Sequence, residues 1–192
     1  MLLILTGPVH SGKTTRLRRL VSEWRARGIA LDGFLSPAVF RAGKRTGYDW
    51  LDLETNCPAP FLRLRGEADW EKVGPYFLIP STLEKAKRKI RTHDLGKLLI
   101  IDEIGPLELR GGGVWPELEG VLKAPLFCCL VVVRDEILDR FGRVAPVQPK
   151  MIFKIEGSAF PSDLTRAIQS FQGSAEDISA ASRPDRLEGG TK

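Results

Sequence analysis

The chain's first apolar run, Leu2 to Leu5, has no polar interruption, and a glycine follows at position 7. A strand covered on both faces reads this way, because neither side of it meets water. From Lys13 to Arg27 the period changes: Leu17, Leu20, Val21 and Trp24 fall at helical spacing, and Gly28 ends the helix. Ile29 to Ser36 predicts a second strand. The stretch Val39 to Leu53 centres on the turn chemistry of Ala42-Gly43-Lys44-Arg45-Thr46-Gly47, flanked by Val39, Phe40, Tyr48 and Trp50, and reads as a β-hairpin. Phe61 to Arg65 alternates apolar and basic residues and extends that β element.

Ser81, with Glu84 three residues on, has the spacing of a capping box. Leu83, Ala86 and Ile90 then share one face of a basic helix. Lys97 to Asp102 is a buried strand ending in acid, and Trp115 to Lys123 a short helix with Pro116 in its first turn. Phe127 to Val133 is a fully apolar strand, Asp135 to Phe141 is helical, and Lys150 to Ile155 is a strand. Ser162 to Phe171 is an amphipathic helix through Leu164, Ala167, Ile168 and Phe171. Beyond Gln172 almost nothing is left to bury, which predicts one domain over residues 1–172 and a disordered tail over 173–192. Alternating strands and helices predict an α/β fold, a mainly parallel sheet flanked by helices, with an antiparallel hairpin region added at one edge.

Composition narrows the class. With 43% hydrophobic and 28% charged residues in 192, the chain has the make-up of a soluble globular protein. Its formal charge of +5 is spread over Arg16–Arg19, Arg41–Arg45 and Lys85–Arg91, with acids between them. That is not the concentrated, aromatic-laced stripe that nucleic acid wants, so no nucleic-acid partner is expected. Solvated helix faces and attraction for a polyphosphate account for it. The three cysteines, Cys57, Cys128 and Cys129, make no disulfide framework. Neighbours on a strand face opposite ways, so Cys128 and Cys129 read as small buried hydrophobes. The opening MLLIL stops at Thr6 without a basic segment before it, so it does not read as a signal peptide. No membrane association is expected, and the expected location is cytoplasmic.

Candidate chemistry begins at Gly7-Pro8-Val9-His10-Ser11-Gly12-Lys13-Thr14, which fits G-x-x-x-x-G-K-[ST] throughout. A chance match somewhere in a chain this long has a probability on the order of one in a hundred. A predicted strand before it and a predicted helix after it lower that further. Phosphate oxygens must be approached by backbone N–H groups, and glycines permit the approach and the positive φ it needs. The helix N-terminus adds donors and a favourable dipole. Lys13 would place a charge between the β- and γ-phosphates, Thr14 would ligate Mg²⁺, and Thr15 would reach the α-phosphate. His10 reads as a structural or solvent-exposed loop position rather than a catalytic one.

Leu98-Leu99-Ile100-Ile101-Asp102-Glu103 supplies the second half of the site. Acids at the carboxyl end of a buried strand lie where open α/β sheets place ligands. Asp102 would hold Mg²⁺ through water. Glu103 either faces solvent or orients and deprotonates an attacking water, and an adjacent Asp-Glu pair suits a hydrolase that carries its own base. Developing charge on the transferred group also calls for a cation. Arg134, after a strand, serves that role or forms an ion pair with Asp135 or Glu136. Lys44 and Arg45 are either solvated tip residues or groups that close over the phosphates.

These residues carry a resemblance to the cancer-related nucleoside-triphosphatase family of P-loop enzymes, over Leu2 to about Phe171. Gly33-Phe34 with Gly43-Lys44-Arg45-Thr46-Gly47-Tyr48 is similar to that family's G-F…K-R-x-G-F segment. Val73-Gly74-Pro75-Tyr76 resembles its V-G-x-Y, and Ile101-Asp102-Glu103-Ile104-Gly105-Pro106-Leu107-Glu108-Leu109 its I-D-E-I-G-x-M-E-L. The resemblance implies a RecA-like sheet, Mg²⁺ dependence and slow, broad hydrolysis of triphosphates, ATP, GTP and others, to diphosphate and phosphate. It places Glu103 on the water and adds weight to Lys44 and Arg45. Two stretches depart from the pattern. Pro37-Ala38-Val39-Phe40 replaces a Glu-Glu-Val-Arg, and Glu156-Gly157-Ser158-Ala159-Phe160 replaces a Glu-Asn-Arg-Asp.

Two other functions compete. A small-molecule phosphotransferase needs an arginine-bearing lid, for which Asp139-Arg140-Phe141-Gly142-Arg143 is the one candidate. A nucleotide-gated binding module needs a protein partner, and no residue pattern names one.

Overall fold

The computed structural model describes residues 1–157 and 160–181, with side chains as far as residue 171. Ten strands run β1 (Leu2–Gly7), β2 (Leu31–Leu35), β3 (Ala38–Arg41), β4 (Lys44–Asp52), β5 (Pro58–Arg63), β6 (Lys72–Val73), β7 (Tyr76–Leu78), β8 (Leu98–Ile104), β9 (Cys129–Arg134) and β10 (Met151–Lys154). Among the described residues five α-helices lie before and after the run β2–β7: α1 (Lys13–Ala26), α2 (Pro80–Arg91), α3 (Trp115–Leu122), α4 (Leu138–Val144) and α5 (Phe160–Ala181). All strands join one sheet in the order β10-β1-β9-β8-β2-β4-β5-β7-β6, with β3 paired to β4. The first five are mutually parallel, and every pairing from β2–β4 outward is antiparallel. Strand β9 therefore separates the strand that leads into the phosphate loop from the strand that ends in acid.

The unbroken apolar runs follow from two cores, one on each face of the sheet. Leu3 and Leu5 of β1 pack with Leu17, Val21 and Trp24 of α1 and Leu164 and Ile168 of α5. Leu2 and Ile4 pack on the other face with Ala86 and Ile90 of α2, Leu118 of α3 and Phe141. Cys128 and Cys129 divide between these cores as the alternation requires, and burial pushes the Cys128 thiol up to about 12. On the first face, Trp24 Nε1 donates to Thr165 Oγ1 at 2.9 Å, which satisfies the one polar atom of a buried indole.

Several boundaries differ from the pattern. The hairpin turn is only Ala42-Gly43, both at positive φ (47° and 74°), so Lys44 to Gly47 already belong to β4. The antiparallel extension is larger than one hairpin because β6 and β7, too short to show a period, close it off. The capping box at Ser81 does not form. Helix α2 begins at Pro80, whose fixed φ suits a first turn, and Ile79 caps it without a side-chain bond, while Glu84 pairs with Lys87 at 3.2 Å. Helix α5 runs on to Ala181, past the start of the tail expected from residue 173, and residues 182–192 lie outside the described ones. Among the described residues no helix is long and apolar enough to cross a membrane.

A polar network pins α2 to the sheet. Lys89 Nζ lies 3.2 Å from Asp32, 3.3 Å from Asp52 and 2.6 Å from Glu54. His93 Nδ1 lies 3.2 Å from Asp32 Oδ2, while Oδ1, the oxygen near Lys89, accepts the Gly33 N–H at 2.8 Å. Burial pushes the Asp32 carboxyl up, but His93, the Gly33 amide and Lys89 together outweigh it and hold the group down at about 2, against 3.8 ordinarily. A carboxyl depressed on folding adds stability above its unfolded value, and that stability is lost as pH falls through the folded one. Wild-type protein should therefore lose about 2 kcal/mol of unfolding free energy between pH 4 and pH 2 through this group. Urea titrations at those two pH values should show Asp32→Asn, already weaker at pH 7, losing correspondingly less.

Candidate active site

Strand β1 ends at Gly7, the chain turns, and α1 opens at Lys13 with Gly12 in the left-handed region at φ 81°. Gly7 is needed for space: a Cβ there would sit 2.3 Å from Ile155 Cγ2. Pro8, Val9 and His10 are exposed, whereas Lys13 is 6% exposed and donates through Nζ to the carbonyls of Gly7 at 2.9 Å and Pro8 at 2.7 Å. The first turn of α1 carries no acid and no side-chain cap, so its amides stay open to an anion, with Thr15 exposed beside them. Ser11 Oγ is buried in the loop without a hydrogen-bond partner. A loop so furnished with donors and so short of acceptors fits a polyphosphate.

Across from it, β8 carries a bulge. Ile101 is in register with Val131 and Ile104 with Val133, so Asp102 and Glu103 together oppose one residue of β9. The bulge sends two successive carboxylates to different surroundings. Asp102 is 1% exposed and accepts from the Ser36 N–H at 3.2 Å, and its backbone carbonyl accepts from Ser36 Oγ. Burial and the neighbouring Glu103 push its carboxyl up to about 6, while Thr14, Ser36 and Lys13 pull the other way. No cluster of three or more His, Cys, Asp or Glu side chains arranged for a metal occurs among the described residues. The donor set is a hydroxyl and a carboxylate, hard oxygens that leave positions for phosphate and water. That suits Mg²⁺, which keeps several non-protein ligands.

Glu103 is partly exposed and accepts from Arg134 Nε at 2.7 Å. Arg134 ends β9 in register with Gly7, so this pair stands level with the mouth of the loop. The local alternative, Glu136, is farther from Arg134 at 3.8 Å. The hairpin leans over the same mouth. Arg45 Nη1 lies 3.0 Å from His10 Nδ1 and donates to the Tyr48 hydroxyl at 3.1 Å. Lys44, exposed at the turn, makes no hydrogen bond or ion pair to the loop. The fold thus gathers Gly7 to Thr15, Asp102, Glu103, Arg134 and Arg45 at one edge of the sheet and leaves Lys44 at the tip.

The family model described as NTPase matches residues 2–156. The chain belongs to the NTPase family. It is 37% identical over 125 residues to the nucleoside-triphosphatase THEP1 of Metallosphaera sedula, an alignment covering 64% of this chain and 65% of that one. To the THEP1 of Thermococcus kodakarensis it is 29% identical over 180 residues, covering 89% and 96%. A human cancer-related nucleoside triphosphatase shares the fold at a TM-score of 0.67 and 23% identity, over 90% of this chain and 97% of that one. THEP1 from Aquifex aeolicus does so at 0.63 and 21%, over 88% and 99%.

Three residues of this NTPase-family site escaped the pattern of the chain. Ser36 is one residue beyond β2, and only the neighbouring of β2 and β8 brings it to Asp102. Tyr48 looked like a flanking hydrophobe of the hairpin. Glu108 lies inside the acidic block, where the glycines at 105, 111, 112 and 113 signal a tight loop. Its carboxylate closes that loop, accepting from the Gly105 N–H at 2.9 Å, with the amides of Glu108 and Val114 also stabilising its charge. A Cβ on Gly113, which holds φ 57°, would lie 2.1 Å from that carboxylate. Burial pushes the Glu108 carboxyl up to about 7, from 4.5, with the three amides opposing. A carboxyl raised on folding weakens the fold as pH climbs through its shifted range. Glu108→Gln, which keeps an acceptor without the charge, should therefore raise the midpoint of thermal unfolding at pH 8 relative to wild type and do little at pH 4.

Proposed function

We propose that the protein is a nucleoside-triphosphate phosphohydrolase that cleaves the β–γ bond of ATP, GTP and other triphosphates with a water oriented by Glu103. The observation that carries this reading is the bulge, which keeps Asp102 inside and turns its neighbour toward the mouth of the phosphate loop. Family membership and the THEP1 relatives support it.

Each residue has a physical task. Backbone amides from Gly7 to Thr15 bind the phosphate chain, and Lys13 moves its ammonium from the loop carbonyls to the β- and γ-phosphate oxygens. Thr14 and Asp102 would hold Mg²⁺, which supplies charge neutralisation across the β- and γ-phosphates. Both Arg134 contacts go to Oε1 of Glu103, which leaves Oε2 to accept a hydrogen bond from the attacking water. Phosphoryl transfer has a loose transition state, so orienting that water and meeting the charge on the equatorial oxygens are the main demands. Arg45, over the loop beside His10, and Arg134 are placed for the second demand, with Lys44 an outer charge on the same hairpin. The arginine-bearing stretch a phosphotransferase would use as a lid is part of α4, anchored by buried Phe141, which favours water as acceptor.

Glu103→Gln should reduce phosphate release by about 100-fold or more while Mg²⁺–triphosphate binding, read by calorimetry, stays within a few-fold. Full turnover in that variant would remove Glu103 from the reaction. Lys13→Ala should lose the heat of nucleotide binding itself, and chelation of Mg²⁺ should stop turnover in wild type.

A further inference from the structure

Arg45 is a long side chain on β4, two residues past the turn, and its tip is held at three points. Its guanidinium carbon lies 5.6 Å from the ring centre of Phe40, its cross-strand partner, and 5.7 Å from that of Tyr48. Its Nη1 donates to the Tyr48 hydroxyl at 3.1 Å and meets the His10 ring at 3.0 Å. Its Nε is buried without a hydrogen-bond partner. The donors of the fork are therefore divided, with Nη1 engaged in holding the group and Nε free of any partner.

Tyr48 is itself braced. Its ring packs edge-on against Tyr76 at 5.4 Å and 84°. An unrestrained arginine samples many rotamers, and a cation that must meet developing charge works best when already in place.

We propose that Tyr48 is a positioning residue that holds the Arg45 guanidinium over the phosphate loop, where it meets the γ-phosphate of a bound triphosphate. Phe40 forms the other wall of the bracket. The inference rests on the reading of Arg45 as a charge used in hydrolysis, and it adds the group that aims it.

The test is a double-mutant cycle on the full chain with Tyr48→Phe, Arg45→Ala and both together. Tyr48→Phe keeps the ring against Tyr76, and its unfolding midpoint should match wild type. Its kcat should fall roughly tenfold, with KM for Mg²⁺–triphosphate within about twofold, a size typical of coupled neighbours. The double variant should be no slower than Arg45→Ala alone, because a hydroxyl that acts through Arg45 has nothing left to aim. If Arg45→Ala itself retains full kcat, the role given to Arg45 fails and this inference falls with it. If Arg45→Ala is slow but Tyr48→Phe turns over at the wild-type rate, or the two losses multiply, Arg45 keeps its role and Tyr48 does not aim it.

Discussion

A carboxylate sealed inside the sheet, Asp102, and the groups of α1 and β2 that stabilise its charge form the centre on which this molecule depends. Strands β1 and β8 are two strand spacings apart, about 10 Å, because β9 lies between them. Thr14 and Lys13, at the start of α1, stabilise the charge of Asp102 across that gap and join the anion-binding half of the site to the acidic half. An ionised carboxylate at 1% exposure is costly unless its partners are complete. Thr14 and Lys13 come from α1 and Ser36 from the residue after β2, so the carboxylate also ties α1, β2 and β8 into one arrangement. The price of burial is visible in the carboxyl pushed up to about 6, a strain that a divalent cation would relieve.

Around this rigid centre the protein adds groups from a less buried platform. The antiparallel extension is stitched by Arg63, whose Nη1 donates to the carbonyls of Tyr48 (2.7 Å) and Leu62 (2.9 Å) and whose Nη2 pairs with Asp49. Gly47 lets β4 and β5 approach, since a Cβ there would lie 2.0 Å from the Leu62 carbonyl oxygen. The platform holds the Tyr48 ring and, through it, the hairpin arginine. A core built on apolar burial is stiff and tolerates little displacement, whereas a polar hairpin can adjust to a ligand. Asp102 and Glu103 thus come from the stiff part of the sheet, and Arg45 from the polar hairpin that Tyr48 and Phe40 bracket.

Much of the site was legible because its chemistry is local. The phosphate loop is eight consecutive residues, each needed for backbone geometry or charge, and the strand and helix on either side have unmistakable periods. The acids were legible as the polar end of an apolar run. Ser36 was not, because its partner Asp102 is 66 residues away, and Tyr48 was not, because its contact with nearby Arg45 gains meaning only where the hairpin meets the loop at His10. The capping box misled for a different reason: its spacing is right, but Pro80 starts the helix one residue earlier. Strands β6 and β7, of two and three residues, owe their conformation to the neighbouring strand rather than to any preference of their own.

The amino-acid order alone determined the anion cradle, the two-faced apolar strands and the acidic strand end, since each is set by contacts within a few residues. Only the tertiary structure decided which acid is buried, which basic residue of the hairpin reaches the loop, and which partner Arg134 takes. Those outcomes depend on the β8 bulge, the two-residue turn at Ala42-Gly43 and the register of β9 against β1. Such features arise from how strands pair over long separations, and in a sheet a displacement of one residue turns a side chain to the opposite face.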